Sequence, residues 1–399
     1  MARWSFSGKL VPFSLKVEIY IPLYNSLVVG QNLERDILHA YDLGNYCLGG
    51  HIMVLRPVIP DVLSAALENV WIFLYREARD CYWGLLKNPS WFLMRKFGRF
   101  CSIRAMVKSH RQRLTRGSSR DLDSGQHQSL FEGIHVDQVV QQMGRDGLYV
   151  GIHLPQAAVQ ELVDLAMMTP CYANGRPIWG FHYHEKEAAA QQLGIDLTTA
   201  DYFNTSAHAP IQRIIDDPVL RRIAATYLEG EPVHQGTNLR WSFGASLSDY
   251  EKYKYSRMYH YDLDDYQAIK FFFYLTDVDA NAGPHVCVLG SHKVKKILHQ
   301  WLRGKCSDQT IVDYYGIENI KVIRGEAGCG FVEDTFCMHK GDSPLHGDRL
   351  ILIIEYALRD YGMQHDRIEA SRLQSVFLCG QHIEEDARTS DVTQKDPLR

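Results

Sequence analysis

Apolar positions recur at helical spacing in the first half of this chain and at alternating or unbroken spacing in the second. Val62, Leu63, Ala66, Leu67, Val70, Phe73 and Leu74 fall on one helical stripe behind Asp61, a good N-cap. A second helix is predicted over residues 91–114, with Ser90 as its cap. The polar stretch 117–128 reads as a linker. Val136, Val139, Val140 and Met143 then form a helical stripe that Gly144 ends. Residues 147–154 read as a short strand, and 155–168 as an amphipathic helix that opens on a proline at a tolerated position. Residues 170–210 are loop-rich, with turns at Asn174-Gly175 and Trp179-Gly180. Residues 211–228 read as a helix in two pieces, because Pro218 interrupts the backbone hydrogen bonding.

From Val233 the pattern changes to strands, predicted at 237–243, 268–276, 285–289, 320–323, 330–332 and 350–358. Turns rich in Gly, Pro, Asn and Asp separate them. Short strands after a block of helices predict an α+β fold: an antiparallel barrel or jelly roll with helices packed outside. The expected organisation is a mainly helical N-terminal extension (1–125), flanking helices and loops (126–232), a strand-rich core (233–362) and a C-terminal segment with a polar tail (363–399).

Composition narrows the class. The 399 residues are 46% apolar and 23% charged, near the average for globular proteins, which excludes wholesale disorder. A net charge of -4 argues against a nucleic-acid-binding surface. The nine cysteines are scattered, none in a Cys-x-x-Cys pair, and read as reduced thiols. The first residues lack the uninterrupted apolar core and cleavage site of a signal peptide, and no uncharged run reaches the ~18 residues of a membrane span. The cytoplasm is the expected location. Between 93 and 120 stand nine basic residues and no acidic one. Such a run could meet an anionic lipid, a phosphorylated substrate such as an acyl-CoA or an acidic partner, or be a face neutralised by acids elsewhere in the fold.

Candidate chemistry centres on Met258-Tyr259-His260-Tyr261-Asp262. An imidazole and a carboxylate two residues apart on or beside a strand point to the same face. They are two thirds of a 2-His-1-carboxylate triad, which holds Fe(II) while leaving coordination positions open. Candidates for the third ligand are His285, His292, His299, His339, His346 and His365; His339 is the best placed, with His346 its strongest rival. Arg349 opens the apolar strand Leu350-Ile351-Leu352-Ile353-Ile354 and needs an anionic partner, because an unpaired buried guanidinium is costly. A dicarboxylate reaching down from the metal would meet that need. Asn238, Arg240 and Ser242 alternate onto one face of the strand ahead of the motif, which is either a ligand-contacting or a solvated face. Lys270, inside an apolar strand, is expected to snorkel to its edge. Tyr259 and Tyr261 either support the first ligand or belong to the core.

His260-x-Asp262, the run Gly283-Pro284-His285-Val286-Cys287-Val288-Leu289-Gly290-Ser291-His292, His339 and Arg349 together resemble the phytanoyl-CoA dioxygenase-like family over roughly residues 135–360. His285 stands where that family usually carries leucine, Leu289 where it carries proline, and Gly341 where some members carry a co-substrate-binding serine. The resemblance implies a jelly-roll (double-stranded β-helix, cupin-like) core. It also implies Fe(II) on His260, Asp262 and His339, 2-oxoglutarate anchored by Arg349, and O2 as oxidant. The implied reaction is hydroxylation or another oxidation of a small organic or lipid-like substrate, with release of succinate and CO2. Two other readings stay open from the residues alone: a non-catalytic jelly-roll binding protein, and a glycosyltransferase using Asp262 and Asp264 as a metal-binding pair.

Overall fold

The computed structural model describes residues 84–115, 128–244, 258–302, 304–363 and 366–377. The chain divides into compact units at 1–71 and 72–399, and the described residues all belong to the second. The helix predicted behind Asp61, most of the linker, and His365 lie outside them.

Helices α1 (Pro89–Phe97) and α2 (Cys101–Thr115) replace the single helix expected over 91–114. The cap is Asn88, not Ser90: its side chain accepts from the Trp91 amide at 3.1 Å, and Pro89 occupies the first turn, where its missing N–H costs nothing. The basic run turns much of its charge onto the fold. Arg95, Arg99, Arg104 and Arg111 donate to the carbonyls of Leu263, Trp301, Asp265 and Leu228, and Lys108 meets Glu229 at 3.2 Å. The partners of these arginines are main-chain oxygens, which sequence cannot show.

Then come α3 (Val136–Asp146), β1 (Leu148–Val150), α4 (Gln156–Met168), β2 (Cys171–Ala173), β3 (Gly180–Phe181), α5 (Lys186–Leu193), β4 (Thr199–Asp201), α6 (Ala209–Ile215) and α7 (Pro218–Leu228). Helix α3 runs past Gly144 and ends at Gly147, whose φ of 77° suits a residue without a side chain. Pro218 does divide the segment 211–228: Asp217 caps α7 by accepting from the Val219 and Leu220 amides. The loop-rich stretch 170–210 holds three short strands that pair with one another, with the edge of the core sheet and, at Gly180, with Ser375, and each is too short for periodicity to announce it.

The core strands are β5 (Val233–Phe243), β6 (Ala268–Tyr274), β7 (His285–Val288), β8 (Ile320–Ile323), β9 (Gly330–Glu333), β10 (His339–Gly341) and β11 (Asp348–Ala357). Helices α8 (Ile297–Leu302) and α9 (Asp308–Tyr315) lie between β7 and β8. All strand pairings are antiparallel, in a large sheet ordered β1-β9-β6-β11-β5-β4-β2-β3 and a small one ordered β10-β7-β8. His260 bridges His339 and extends the small sheet beyond β10. The chain therefore passes from β5 in the large sheet to His260 in the small one and back to β6. It then runs through β7 and β8 (small), β9 (large), β10 (small) and β11 (large). That alternation is the expected jelly roll, a double-stranded β-helix.

The period of two sorts the large sheet's residues. Ile269, Phe271, Phe273, Leu350, Leu352, Ile354 and Tyr356 pack with the helices in the main core. Phe272, Tyr274, Phe331 and Ile351 face the small sheet's Cys287 and Ile323 in a second core. Strand register sets this inner face in rows. Lys270 stands between Glu333 and Glu355. Phe272 stands between Phe331 and Ile353, with Asn238 beyond. Tyr274 stands beside Ile351, with Arg240 beyond, and Arg349 lies opposite Ser242.

Candidate metal centre

His260 and His339 are directly opposed across the small sheet and exchange both backbone hydrogen bonds, His260 N to His339 O at 2.9 Å and His339 N to His260 O at 2.8 Å. Opposed residues of an antiparallel pair carry their side chains on one face, and the ring centroids stand 4.5 Å apart. Asp262 follows two residues on, tied by its amide to Thr335 O at 2.8 Å. One ligand atom from each of His260, Asp262 and His339 can be chosen so that all lie within 4.8 Å of one another, a set that could hold a metal ion.

The same device orients both imidazoles. His260 Nδ1 lies 3.0 Å from Met258 O, and His339 Nδ1 lies 3.0 Å from Cys337 O; each carbonyl is two residues before the ring it holds. A carbonyl only accepts, so each Nδ1 carries a proton, and the neutral form of either ring presents a bare Nε2, the form a metal requires. Both Nε2 atoms face Asp262, at 3.9 Å from Oδ1 for His260 and 3.8 Å from Oδ2 for His339. Burial and the neighbouring His339 depress the His260 imidazolium to about 3, so the ring is neutral at pH 7.

Lys270 does not snorkel. Its ammonium sits 2.8 Å from Asp262 Oδ2, 3.0 Å from Asp264 Oδ2 and 3.2 Å from Glu355 Oε2. Burial alone would raise the Asp262 carboxyl and lower the Lys270 ammonium. The mutual attraction outweighs it, holding Asp262 well below the usual carboxylate range and Lys270 well above the usual lysine value. Burial, with Asp264 adding to it, pushes Glu355 far up. Asp264 lies outside the set that could hold a metal ion, and the named strands pair only antiparallel among the described residues, with no parallel nucleotide-binding arrangement. The transferase reading has no footing here.

Behind His339 lies Glu333, fully buried, with Oε1 3.4 Å from His339 Nδ1 and Oε2 2.6 Å from His285 Nε2. Burial pushes the Glu333 carboxyl up to about 8. Burial and Arg349 push His285 down to about 3. Two neutral partners sharing one hydrogen bond satisfy both shifts.

Arg349 is 5% exposed. Its Nη2 donates to Ser242 Oγ at 3.1 Å, its Nε has no hydrogen-bond partner, and no carboxylate pairs with it among the described residues. Burial lowers its pKa. Asn238, Arg240 and Ser242 do face the interior. However, Arg240 is already paired with Asp201, and Asn238 Nδ2 lies 3.5 Å from the same carboxylate, with its own Oδ1 unpartnered. Ser242 is the member of that trio that joins Arg349.

The other histidines fall away from the set. His346 is in an exposed turn 3.8 Å from Asp279. His292 contacts Cys337 Sγ at 3.5 Å, and His299 takes no part. Tyr259 and Tyr261 are core residues, packed with Val286, Val288 and Met338. The sequence singles out Lys270 without its partners, and offers His285 as a candidate ligand and as a departure from the family pattern but not as the partner of Glu333. The sequence assigns Glu333 no role; the signal it does carry is a lone carboxylate directly after the apolar pair Phe331-Val332.

No protein-family model matches this chain, and none of the curated proteins does. Among solved structures, the chain is similar to HygX from Streptomyces hygroscopicus, solved with nickel and 2-oxoglutarate bound (16% identity, TM-score 0.38, 55% of this chain and 86% of that one). It is also similar to SnoN, an α-ketoglutarate-dependent epimerase from nogalamycin biosynthesis (14%, 0.39, 57% and 87%). A third is EctD from S. alaskensis (16%, 0.37, 59% and 81%). At these values the likeness assigns neither fold nor function; both rest on the strand order and the site geometry.

Proposed function

We propose that this chain is an Fe(II)- and 2-oxoglutarate-dependent oxygenase acting on a small organic or lipid-like molecule. The observation that carries the reading is the pairing of two features on one interior. A ligand set of two bare imidazole nitrogens and a carboxylate lies at one end, and a buried arginine without a carboxylate at the other. Rows of Phe272, Ile353 and Ile351 lie between them. A dicarboxylate co-substrate has an apolar chain for those rows, one charged end for the metal and one for Arg349.

His260, Asp262 and His339 would hold the iron, and their N, N, O donor set fits Fe(II). Iron, when bound, supplies the O2 activation that couples decarboxylation of the keto acid to substrate oxidation. The protein's own contribution is orientation. Met258 O and Cys337 O fix the imidazole tautomers, Lys270 keeps Asp262 ionised, and Arg349 with Ser242 receives the far carboxylate. The carboxylate in the triad fills the position a halide would need, which favours hydroxylation or a related oxidation. Buried free thiols at Cys171, Cys287, Cys306, Cys329 and Cys337 support a reducing, cytoplasmic setting. Among the described residues, no helix is long and apolar enough to cross a membrane.

Anaerobic titration of the purified protein with Fe(II) and 2-oxoglutarate tests the reading. A metal-to-ligand charge-transfer band in the visible range is expected. No band, with no metal retained, would overturn it and leave a ligand-binding jelly roll.

A further inference from the structure

The apolar residues before and along α8 run against the rule that an amphipathic stripe faces the core. Val294, Ile297, Leu298 and Trp301 recur at i, i+3, i+4 and i+7, yet they are 62%, 71%, 54% and 63% exposed. The side turned inward is the polar one: Lys295 and His299 are 4% and 7% exposed. The Lys295 ammonium donates to Ser291 O at 2.6 Å and to Phe336 O, and Tyr261 Oη donates to His299 O at 3.1 Å. Gln300 donates to Lys295 O at 2.8 Å and accepts from the Cys101 amide at 3.0 Å. Polar contacts thus fix this segment and leave the apolar stripe outward. A single exposed apolar side chain needs no explanation, but a contiguous stripe of four marks a surface that meets a partner.

Charge names the partner. Residues 291–307 include five basic side chains and no acidic one. Lys293 and Lys296 stand exposed beside the stripe. Asp146, an acid that attracts Lys293, is shared with Arg145 at 2.8 Å, so the local balance stays positive. The neighbouring helices α1 and α2 come from the other acid-free basic stretch. Arg99 donates to Trp301 O at 2.9 Å, and Phe100 meets the Trp301 ring edge-on at 5.4 Å. A second copy of this chain seated here about a two-fold axis would bring two basic rims together. An anionic bilayer suits both features. Its headgroups take the lysines, the indole lies at headgroup level, and the aliphatic side chains enter the acyl boundary.

We propose that the face made by residues 293–301 docks this protein on an anionic lipid bilayer. The inner side of the same segment holds Tyr261, which stands between the candidate ligands His260 and Asp262. The docking segment and the ligand set therefore share a wall. The inference does not depend on the oxygenase reading, and its test uses no turnover.

The test is flotation of the full chain with phosphatidylcholine vesicles, made with and without phosphatidylserine, at low and high salt. Melting temperature and oligomeric state by light scattering are measured on each protein. Wild type should float with the phosphatidylserine vesicles, less so at high salt, and bind the neutral ones more weakly. Ile297→Ser with Leu298→Ser should weaken that binding roughly tenfold or more at an unchanged melting temperature, because both side chains are already in water. Lys293→Glu with Lys296→Glu should weaken it by a similar factor and remove most of the salt dependence. No binding by wild type, equal binding to neutral and anionic vesicles, or wild-type affinity in either double variant overturns the proposal. A dimer that forms with rising concentration and is dissolved by Ile297→Ser with Leu298→Ser also overturns it, and makes the stripe a self-association face.

Discussion

The Lys270 ammonium stands 2.8 Å from Asp262 Oδ2, so the carboxylate of the candidate metal set is held by a buried cation before any metal arrives. The same ammonium neutralises Asp264, and Glu355 completes the cluster. Removing one partner of a buried ion pair leaves the others uncompensated, at a cost of roughly 3–5 kcal/mol. Lys270→Met should therefore lower the unfolding free energy of the metal-free protein by about that range in urea denaturation. A variant as stable as wild type would show that the cluster is not held by this lysine.

Asp262→Ala removes the only carboxylate of the set. It should abolish succinate formation and weaken Fe(II) or Ni(II) binding by calorimetry by about two orders of magnitude or more, the loss of a whole ligand exceeding that of an outer partner. Normal turnover in this variant would move the metal elsewhere.

Arg349 separates binding from folding. Its guanidinium is buried with Ser242 as its one hydrogen-bond partner among the described residues, so the free fold gains little from its charge. Arg349→Gln should leave the melting temperature of the ligand-free protein unchanged or raised. It should weaken 2-oxoglutarate binding by roughly 2 kcal/mol or more, ~30-fold. Unchanged affinity would remove Arg349 from the anchor role.

Glu333 predicts a pH-dependent difference. Burial raises its carboxyl to about 8, from an ordinary 4.5. A raised acid contributes stability that is fully present below pH 4.5 and is lost as pH climbs to about 8, because the unfolded chain ionises first. His260, depressed to about 3, acts in the opposite sense: its contribution is present above 6.5 and lost as pH falls toward 3. That term is common to wild type and Glu333→Gln, which cannot ionise at 333. Melting curves of the metal-free proteins should show the variant gaining on wild type between pH 5 and pH 8. A constant difference would mean that Glu333 is ionised when folded.

Gly330 brings β9 against the segment after β1. A Cβ there would lie 1.9 Å from Ile152 O and 2.5 Å from Phe273. Backbone cannot yield cheaply, so Gly330→Ala should destabilise the protein by roughly 1–3 kcal/mol, seen as a lower denaturation midpoint. No shift would mean that the two segments separate without cost.

Local chemistry made much of this protein legible. The alternation of Phe271, Phe272 and Phe273 with Lys270 and Tyr274, the unbroken run at 350–354 and the turn residues between them specify short antiparallel strands. The spacing of His260 and Asp262 and the isolation of Arg349 in an apolar strand are enough to mark a candidate metal set and a candidate anchor. What sequence did not contain is who meets whom across the sandwich. That Lys270 gathers Asp262, Asp264 and Glu355, that Arg240 is taken by Asp201, and that Glu333 joins His339 to His285 are matters of strand register. Register comes from packing of the whole sheet and not from any local window, because a shift of one residue would turn each of these side chains to the opposite face.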